Sequence, residues 1–461
     1  MGLKEILQFI PEVKKPAEKK VSFNVKFKWT LIILGFYFIL YNVPLYGLSN
    51  NALARFEFLS TILGTSFGSI ISLGVGPIVT SSIILQLLVG SGILNIDTKT
   101  EEGKRFFQGI QKLGVIFFII FEAAVFVLMQ GLQAVPGFTG IVIFQLVIGG
   151  FAIMYMDEVA NKWGFGSGVS MFILGGVALQ LFTGLFGILD ASGQNCLVDF
   201  GQNQCTGRIF VIIQSLINGD IQQLTLAIIV ILITVLIFLG VVWAQSLKVE
   251  VPLSYDRLRG YGVKWPLAFF YASVIPVILV SALIANLQLF GGLMENWLGR
   301  ATFLGGFSNG VPISGLAYWL GSSNLVEEVI RGSITIFSVI QGISHLLFYM
   351  IFATIFSVFW VKTSGMDASS QAKNIMGSGL QIPGFRKDQR ILESILSRYI
   401  MPLTVMGGLA VGALAAIANS LGALTSGTAI LLAVMISYQF YQNIAQQHAV
   451  DMHPAMRKFM G

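Results

Sequence analysis

The chain is poor in everything that usually carries chemistry. Two of its 461 residues are cysteine, three are histidine and 11% are charged, against about 25% charged in an average soluble domain. So few charges exclude a soluble globular protein. Cys196 and Cys205 have no histidine or carboxylate cluster beside them, so no metal site is expected. The long apolar segments hold one acid, Glu122, and one histidine, His345. A relay of ionisable groups for a pump or proton-coupled carrier is therefore missing, and intramembrane proteolysis by paired acids is excluded. GTSFG (64–68) and GFSNG (306–310) match the spacing of a serine nucleophile elbow, but neither has the strand-turn-helix setting or the partners that the elbow needs. We expect no catalytic residue, no cofactor and no nucleotide site.

What the chain does have is hydrophobic length. Apolar residues make up 55%, and ten runs are long enough to cross a bilayer as helices, which takes about 20 residues each. They lie near 29–48, 76–94, 110–135, 138–156, 168–189, 222–245, 267–290, 334–361, 399–421 and 426–445. The first run has no small-residue cleavage site after it and is expected to stay in the protein. Ahead of it, LKEILQFI reads either as a surface-lying amphipathic helix or as a solvated arm.

Lysine and arginine set the orientation. Twenty-four of the 28 fall before the first run, in alternate loops or after the last run; the remaining loops hold Arg55, Arg208, Arg300 and Arg331. By the positive-inside rule both termini are cytoplasmic. The expected division is an N-terminal arm (1–28), a first five-span half (29–190), an external loop (191–221), a second five-span half (222–445) with cytoplasmic loops 246–266 and 362–398, and a cytoplasmic tail (446–461). Cys196 and Cys205 then lie outside, where a disulfide is permitted by compartment and spacing and two free thiols remain the other reading.

One stretch breaks the pattern. In SLGVGPIVTSSIIL (72–85), Gly74, Gly76 and Pro77 interrupt an apolar segment with residues that break helices or start them. Residues 55–71 are too short to span, so the chain is expected to enter from outside as a half-length helix, turn at 74–77 and then cross. Irregular backbone at that depth requires surrounding protein or a water-filled cavity. Val75 and Val79 stand at the turn; an apolar collar there would block ions by dewetting, and ordinary core packing is the other reading. Glu122 reads as a buried acid bonded to neighbouring helices or as part of a gate. The basic tips of VEVPLSYDRLRGYGVKWP and KTSGMDASSQAKNIMGSGLQIPGFRKDQR either grip phosphates and acidic surfaces or serve as positive-inside determinants. A carrier with a broken-helix site for a small solute, and an insertase without a through-pore, are the rival functions.

Seven blocks in order, GPIVTSSIILQLLVGSGI, FQGIQKL, DEVANKWGFGSGVSMFI, VEVPLSYDRLRG, IPVILVSALIANLQLFG, PGFRKDQR and RYIMPLTVMGG with AIANSLGALTSGTAILLAV, closely resemble SecY, the central-subunit family of protein-translocation channels, in its archaeal form. The resemblance implies an all-α integral membrane protein of ten transmembrane helices in two inverted five-helix halves, with a short plug half-helix before the second span. It implies a pore waist at Val75, Val79, Val169, Ile173, Ile278 and Leu432. Valine at Val75 and Val169, in place of the family's isoleucine, implies a slightly wider waist.

The plug would comprise Phe56, Glu57, Phe58, Leu59, Ile62, Leu63, Gly64 and Ser66, with the glycine-rich link as its hinge. Thr80, Glu122 and Asn286 match a polar cluster across a lateral seam between spans two and three and spans seven and eight. Arg257, Arg259, Arg386 and Lys387 would dock a translating ribosome. The implied partners are a small single-span SecE-type subunit, a second small subunit of SecG or beta type, the ribosome, the nascent polypeptide and membrane lipid. The implied location is the cell membrane.

Overall fold

The computed structural model describes residues 11–16, 21–51, 53, 60, 63–90, 93–94, 96, 100–190, 195–196, 204–255, 262–272, 275–308, 311–377, 380–381 and 388–452. Ten helices answer the ten apolar runs. The first half has α1 (Phe23–Asn42), α2 (Gly76–Gly90), α3 (Glu101–Leu128), α4 (Thr139–Trp163) and α5 (Gly168–Phe186). A shorter α6 (Arg208–Asn218) precedes α7 (Ile221–Ser246) and α8 (Ile275–Leu298). After α9 (Gly315–Leu320) and α10 (Leu325–Arg331) come α11 (Ile336–Thr363), the short α12 (Ala368–Gly377), α13 (Gln389–Ser420) and α14 (Gly427–Met452).

Eight of the ten are long and apolar enough to cross a bilayer. The others are α2, which has 15 residues because the glycine break takes the outer part of its span, and α14, whose last turns are polar (YQNIAQQHAVDM).

Side-chain caps fix several starts, each contributing about 1 kcal/mol. Thr100 accepts from Gly103 N before α3, Asp220 from Gln223 N before α7, and Thr335 from Ser338 N before α11. Asp388 accepts from Arg390 N, so α13 begins at Gln389, ten residues ahead of the expected 399. A polar but helix-forming stretch, RILESILSR, carries that helix out of the membrane.

Burial sorts the helices by position. In α8 nearly every residue from Pro276 to Leu293 is buried, whereas α1 buries Ile33 and Tyr37. Helix α7 turns Leu232, Leu236, Leu239 and Trp243 outward, as a lipid-facing surface requires. Helices α2 to α5 pack in sequence with α1 against α4, and α8, α11, α13, α14 and α7 pack as a second set. The sets meet along two lines: α14 against α5 and α1, and α2 against α8 and α11.

The loops hold structure that hydropathy does not foretell. Loop 246–266 contains a β-hairpin of β3 (Lys248–Tyr255) and β4 (Gly262–Ala268), joined by β7 (Leu380–Gln381) from loop 362–398. Elsewhere, β1 (Leu48–Asn51) pairs with β2 (Leu132–Ala134) and β5 (Gly306–Ser308) with β6 (Val311–Ser314).

The arm at 11–16 is docked rather than free. Lys112 Nζ donates to Pro11 O at 2.6 Å, Val13 N to Glu158 Oε1 at 3.1 Å, Lys162 Nζ to Val13 O at 2.6 Å and Trp163 Nε1 to Lys14 O at 3.0 Å. Glu158 is paired with Lys112 and with Lys162, both at 2.8 Å, and Lys162 with Glu12 at 2.6 Å. LKEILQFI, at 3–10, lies outside the described residues.

Candidate functional site

The break at 74–77 is built by close backbone approach. Gly74 has φ +54°, and a Cβ there would stand 2.2 Å from Leu63 O, the oxygen that accepts Val75 N at 2.8 Å. No side chain fits. Upstream, Gly64 (φ +55°) lies on the backbone of Phe172 and Ile173 in α5, and its carbonyl accepts from Tyr37 Oη at 2.9 Å. Tyr37 stacks on Phe172 at 4.9 Å.

Residues 63–75 are turns rather than helix, and Leu63, Thr65, Ser69, Ser72, Leu73 and Val75 are all buried. Their polar groups bond within the segment, with Thr65 Oγ1 donating to Ile71 O and Ser72 Oγ to Ser69 O at 2.5 Å. Backbone groups of the segment also bond to one another and to Ser60 and Val43, as burial of non-helical backbone demands. Of the expected plug, Leu63, Gly64 and Ser66 fall in this turn segment; Phe56, Glu57, Phe58, Leu59 and Ile62 lie outside the described residues.

Five of the six expected waist residues, Val75, Val79, Ile173, Ile278 and Leu432, are no more than 4% exposed and belong to one continuous core, and Val169 packs against it. They come from α5, α8, α14 and both sides of the break. Val79, Val169 and Ile278 also line a cavity of about 380 Å³, whose other walls include Gln86, Lys104, Gln108, Asp157 and Asn161. The expected waist residues and this cavity therefore share the same helices.

Asp157 escapes a hydropathy reading because it falls just past the expected end of the fourth span. Its Oδ1 accepts from Val169 N at 2.9 Å, and the Cβ position of Gly168 is 2.6 Å from Asp157 Cα. The acid caps the start of α5 and thereby sets where Val169 stands. An acid eleven residues ahead of GVS was the available signal.

Thr80, Glu122 and Asn286 come together from three helices. Thr80 Oγ1 donates to Glu122 Oε1 at 3.3 Å, and Asn286 Nδ2 donates to Thr80 Oγ1 at 3.0 Å. Glu122, 3% exposed, places Oε2 3.1 Å from the Cβ position of Gly76. More bonds tie α2 to α3: Ser81 Oγ to Gln111 O at 2.9 Å and Gln111 Nε2 to Ser82 Oγ at 2.6 Å. Among the described residues, the side-chain bond from α8 to α2 is Asn286 to Thr80.

Arg257, Arg259, Arg386 and Lys387 lie outside the described residues. The sheet roots their loops side by side, however: Ser254 pairs with Gln381 and Tyr255 with Leu380. Tyr271 Oη, donating to Met366 O at 2.7 Å, joins the same two loops again; burial pushes its pKa up to about 12. Cys196 and Cys205 are joined by a disulfide, with 5.4 Å between Cα atoms, next to α6, where Gln214 Oε1 accepts from Cys205 N at 3.2 Å.

The SecY family model matches residues 69–441. The chain belongs to the SecY family. It is 41% identical, over 99% of this chain and 98% of the relative, to the protein translocase subunit SecY of Methanothermobacter thermautotrophicus, and 38% identical, over the whole of both, to that of Methanococcus vannielii. Its fold is similar to a solved protein-conducting channel (TM-score 0.82, 37% identity, 99% of each chain) and to Sec61 in the canine ribosome-channel complex from the endoplasmic reticulum (TM-score 0.79, 37% identity, 99% of each chain). Similar too is a structure in which the SecY plug domain stabilises the closed state of the channel (TM-score 0.82, 38% identity, 99% of each chain). These findings make the chain a multi-pass helical membrane protein of a translocation-channel family, a non-enzymatic class, and set aside the small-solute carrier.

Proposed function

We propose that this SecY-family chain is the pore subunit of a protein-translocation channel in the cell membrane, with both termini cytoplasmic. Unfolded secretory polypeptide passes through the waist of Val75, Val79, Val169, Ile173, Ile278 and Leu432. Sufficiently apolar segments leave sideways into lipid between α2 and α3 on one side and α8 and α11 on the other. The observation that carries this reading is the buried, non-helical turn segment 63–75, which abuts the apolar residues of the expected waist. A segment held by glycine-enabled turns can be displaced without unfolding a helix.

Closed, the apolar collar stops ions by dewetting. Open, each large apolar residue of a signal sequence gains about 0.3 to 0.6 kcal/mol on entering lipid. The polar link from Asn286 through Thr80 to Glu122, which crosses the α2–α8 line, supports its role as the seam, with these three residues tuning it. The opposite line, α14 on α5 and α1, is the hinge side of two five-span halves. A SecE-type single-span subunit clamps the halves, and a second small subunit of SecG or beta type completes the complex. The paired roots of loops 256–261 and 382–387 support a joint ribosome-docking surface of Arg257, Arg259, Arg386 and Lys387.

The test is site-specific cross-linking from a single cysteine at Val79 to a ribosome-stalled secretory chain carrying one cysteine midway. An adduct that depends on stall length, and is absent from a lipid-facing control at Leu236, is expected. Adducts at Thr80 and Asn286 without any at Val79 would replace the conduit by an insertase.

A further inference from the structure

The second half contains a buried polar network that neither the waist nor the seam accounts for. His345 and Tyr349, one turn apart on α11, have ring centroids 4.7 Å apart. His345 Nδ1 lies 2.6 Å from Leu320 O, and its Nε2 lies 3.2 Å from Asn419 Nδ2 on α13. Asn419 Oδ1 in turn accepts from Thr428 N, at the start of α14, at 2.8 Å. That backbone donor fixes which way the Asn419 amide points. Its NH2 group therefore donates to Nε2, and the His345 proton sits on Nδ1, donating to Leu320 O. The network is neutral.

The last link reaches α8. Ser281 Oγ and Tyr349 Oη are 3.3 Å apart, and the Tyr349 hydroxyl also faces Thr428 and Asn419. Ser281 is 0% exposed and Tyr349 0% exposed. Ser281 stands one turn beyond Ile278, and Thr428 one turn before Leu432, so the network touches the two helices of the second half that supply the waist.

Around it the packing is tight. Cβ atoms at Gly408 and Gly412 would stand 2.9 Å from Thr354 Cα and 2.6 Å from Tyr349 O, and one at Gly427 would stand 2.0 Å from Ala418 C. Helices α11, α13 and α14 thus form one slab. Helix α8 is held to that slab by Ser281 and to α2 by Asn286, five residues further on.

We infer that the Ser281–Tyr349 bond is a latch that keeps α8 on the second-half slab, so that Ile278 and Leu432 hold their places in the closed waist and move together when the seam parts. Tyr349 is a positioning residue, and His345 and Asn419 hold it. The inference rests on the conduit reading above.

Ion flux through the resting channel, co-reconstituted with its small subunits in liposomes, tests it. Tyr349→Phe and Ser281→Ala are each expected to raise flux about fivefold, the shift that loss of one net hydrogen bond gives in a two-state equilibrium. Because both remove the same bond, the double variant should rise no further than Tyr349→Phe alone. Unchanged flux in the single variants, or a double variant whose rise is the product of the two, would overturn the latch. Deletion of residues 57–65 in the same vesicles separates the two readings: leak there with silent latch variants removes the latch alone, and silence in all of them removes the conduit with it.

Discussion

The two halves of the molecule fasten their helices with opposite chemistry. In the first half, α3 and α4 are clasped to the N-terminal arm by Lys112, Glu158, Lys162 and Glu12. In the second, α11, α13 and α14 are clasped by His345, Asn419 and the Thr428 backbone, without a charge. The first clasp sits where water reaches it, with about 14 to 18% of the Lys112, Glu158 and Lys162 side chains exposed and 64% of Glu12. The second lies within the spans, where an ionised group costs several kcal/mol. The chemistry of a helix junction here follows the solvent at its depth. The charged clasp should answer to salt and acid, and the neutral one to geometry alone.

The largest effect expected from breaking either clasp comes from Asn419→Ala. It removes the acceptor of Thr428 N and the donor to His345, and each buried group left unpaired costs about 1 to 3 kcal/mol. Heat denaturation in detergent should register a loss of about 3 kcal/mol that salt does not change. A loss below about 1 kcal/mol would mean that water takes over both bonds and that the junction is wetter than its burial suggests.

Glu158→Ala should come second. It leaves Lys112 and Lys162 without their shared carboxylate and takes the acceptor from Val13 N. Uncompensated charges in fully buried pairs cost about 3 to 5 kcal/mol; with partial exposure about 2 kcal/mol is expected. The diagnostic feature is salt. Raising ionic strength should narrow the difference between wild type and this variant, and a difference independent of salt would erase the distinction between the clasps.

These junctions also mark how far the sequence could be read. The ten apolar helices, the break at 74–77 and the trio Thr80, Glu122 and Asn286 follow from hydropathy, glycine and proline chemistry, and motif resemblance. The trio's actual convergence, at 3.0 and 3.3 Å, depends on how three helices distant in sequence pack. Asp157 was hidden because an acid beside a predicted helix end looks like a solvated one. The three-stranded sheet was hidden because β7 has two residues and register cannot be inferred from so short a strand. Tyr349 and Asn419 carry no sequence signal, since a tyrosine or an asparagine in an apolar helix is as common at a lipid interface as in a network. Helix α6 was absorbed into a loop because its 11 residues are too few to span.

The smallest predicted effect is the most specific to the charged clasp. The hydrogen bond from Lys162 holds the Glu12 carboxyl below the usual carboxylate range, against a smaller opposing push from burial. A carboxyl whose docked pKa lies below its free value, about 4.3, contributes fully above that value and loses its contribution as pH falls through the docked pKa. Arm docking should therefore be unchanged from pH 8 to about pH 5 and weaken below about pH 4. Because Glu12 is mostly exposed, its share is about 0.5 kcal/mol, enough to change the undocked fraction about twofold. Glu12→Gln should remove the part of the acid response that Glu12 supplies, leaving the part carried by Glu158, which accepts from Val13 N, and the Lys162 bond to Val13 O in place. Labelling of a cysteine introduced at Val13 reads docking directly as a function of pH. Loosening that begins near pH 6, or a pH profile that Glu12→Gln leaves unchanged, would move the acid-sensitive group away from Glu12 and leave the arm's grip to Glu158 and the bonds made by the backbone of Pro11, Val13 and Lys14.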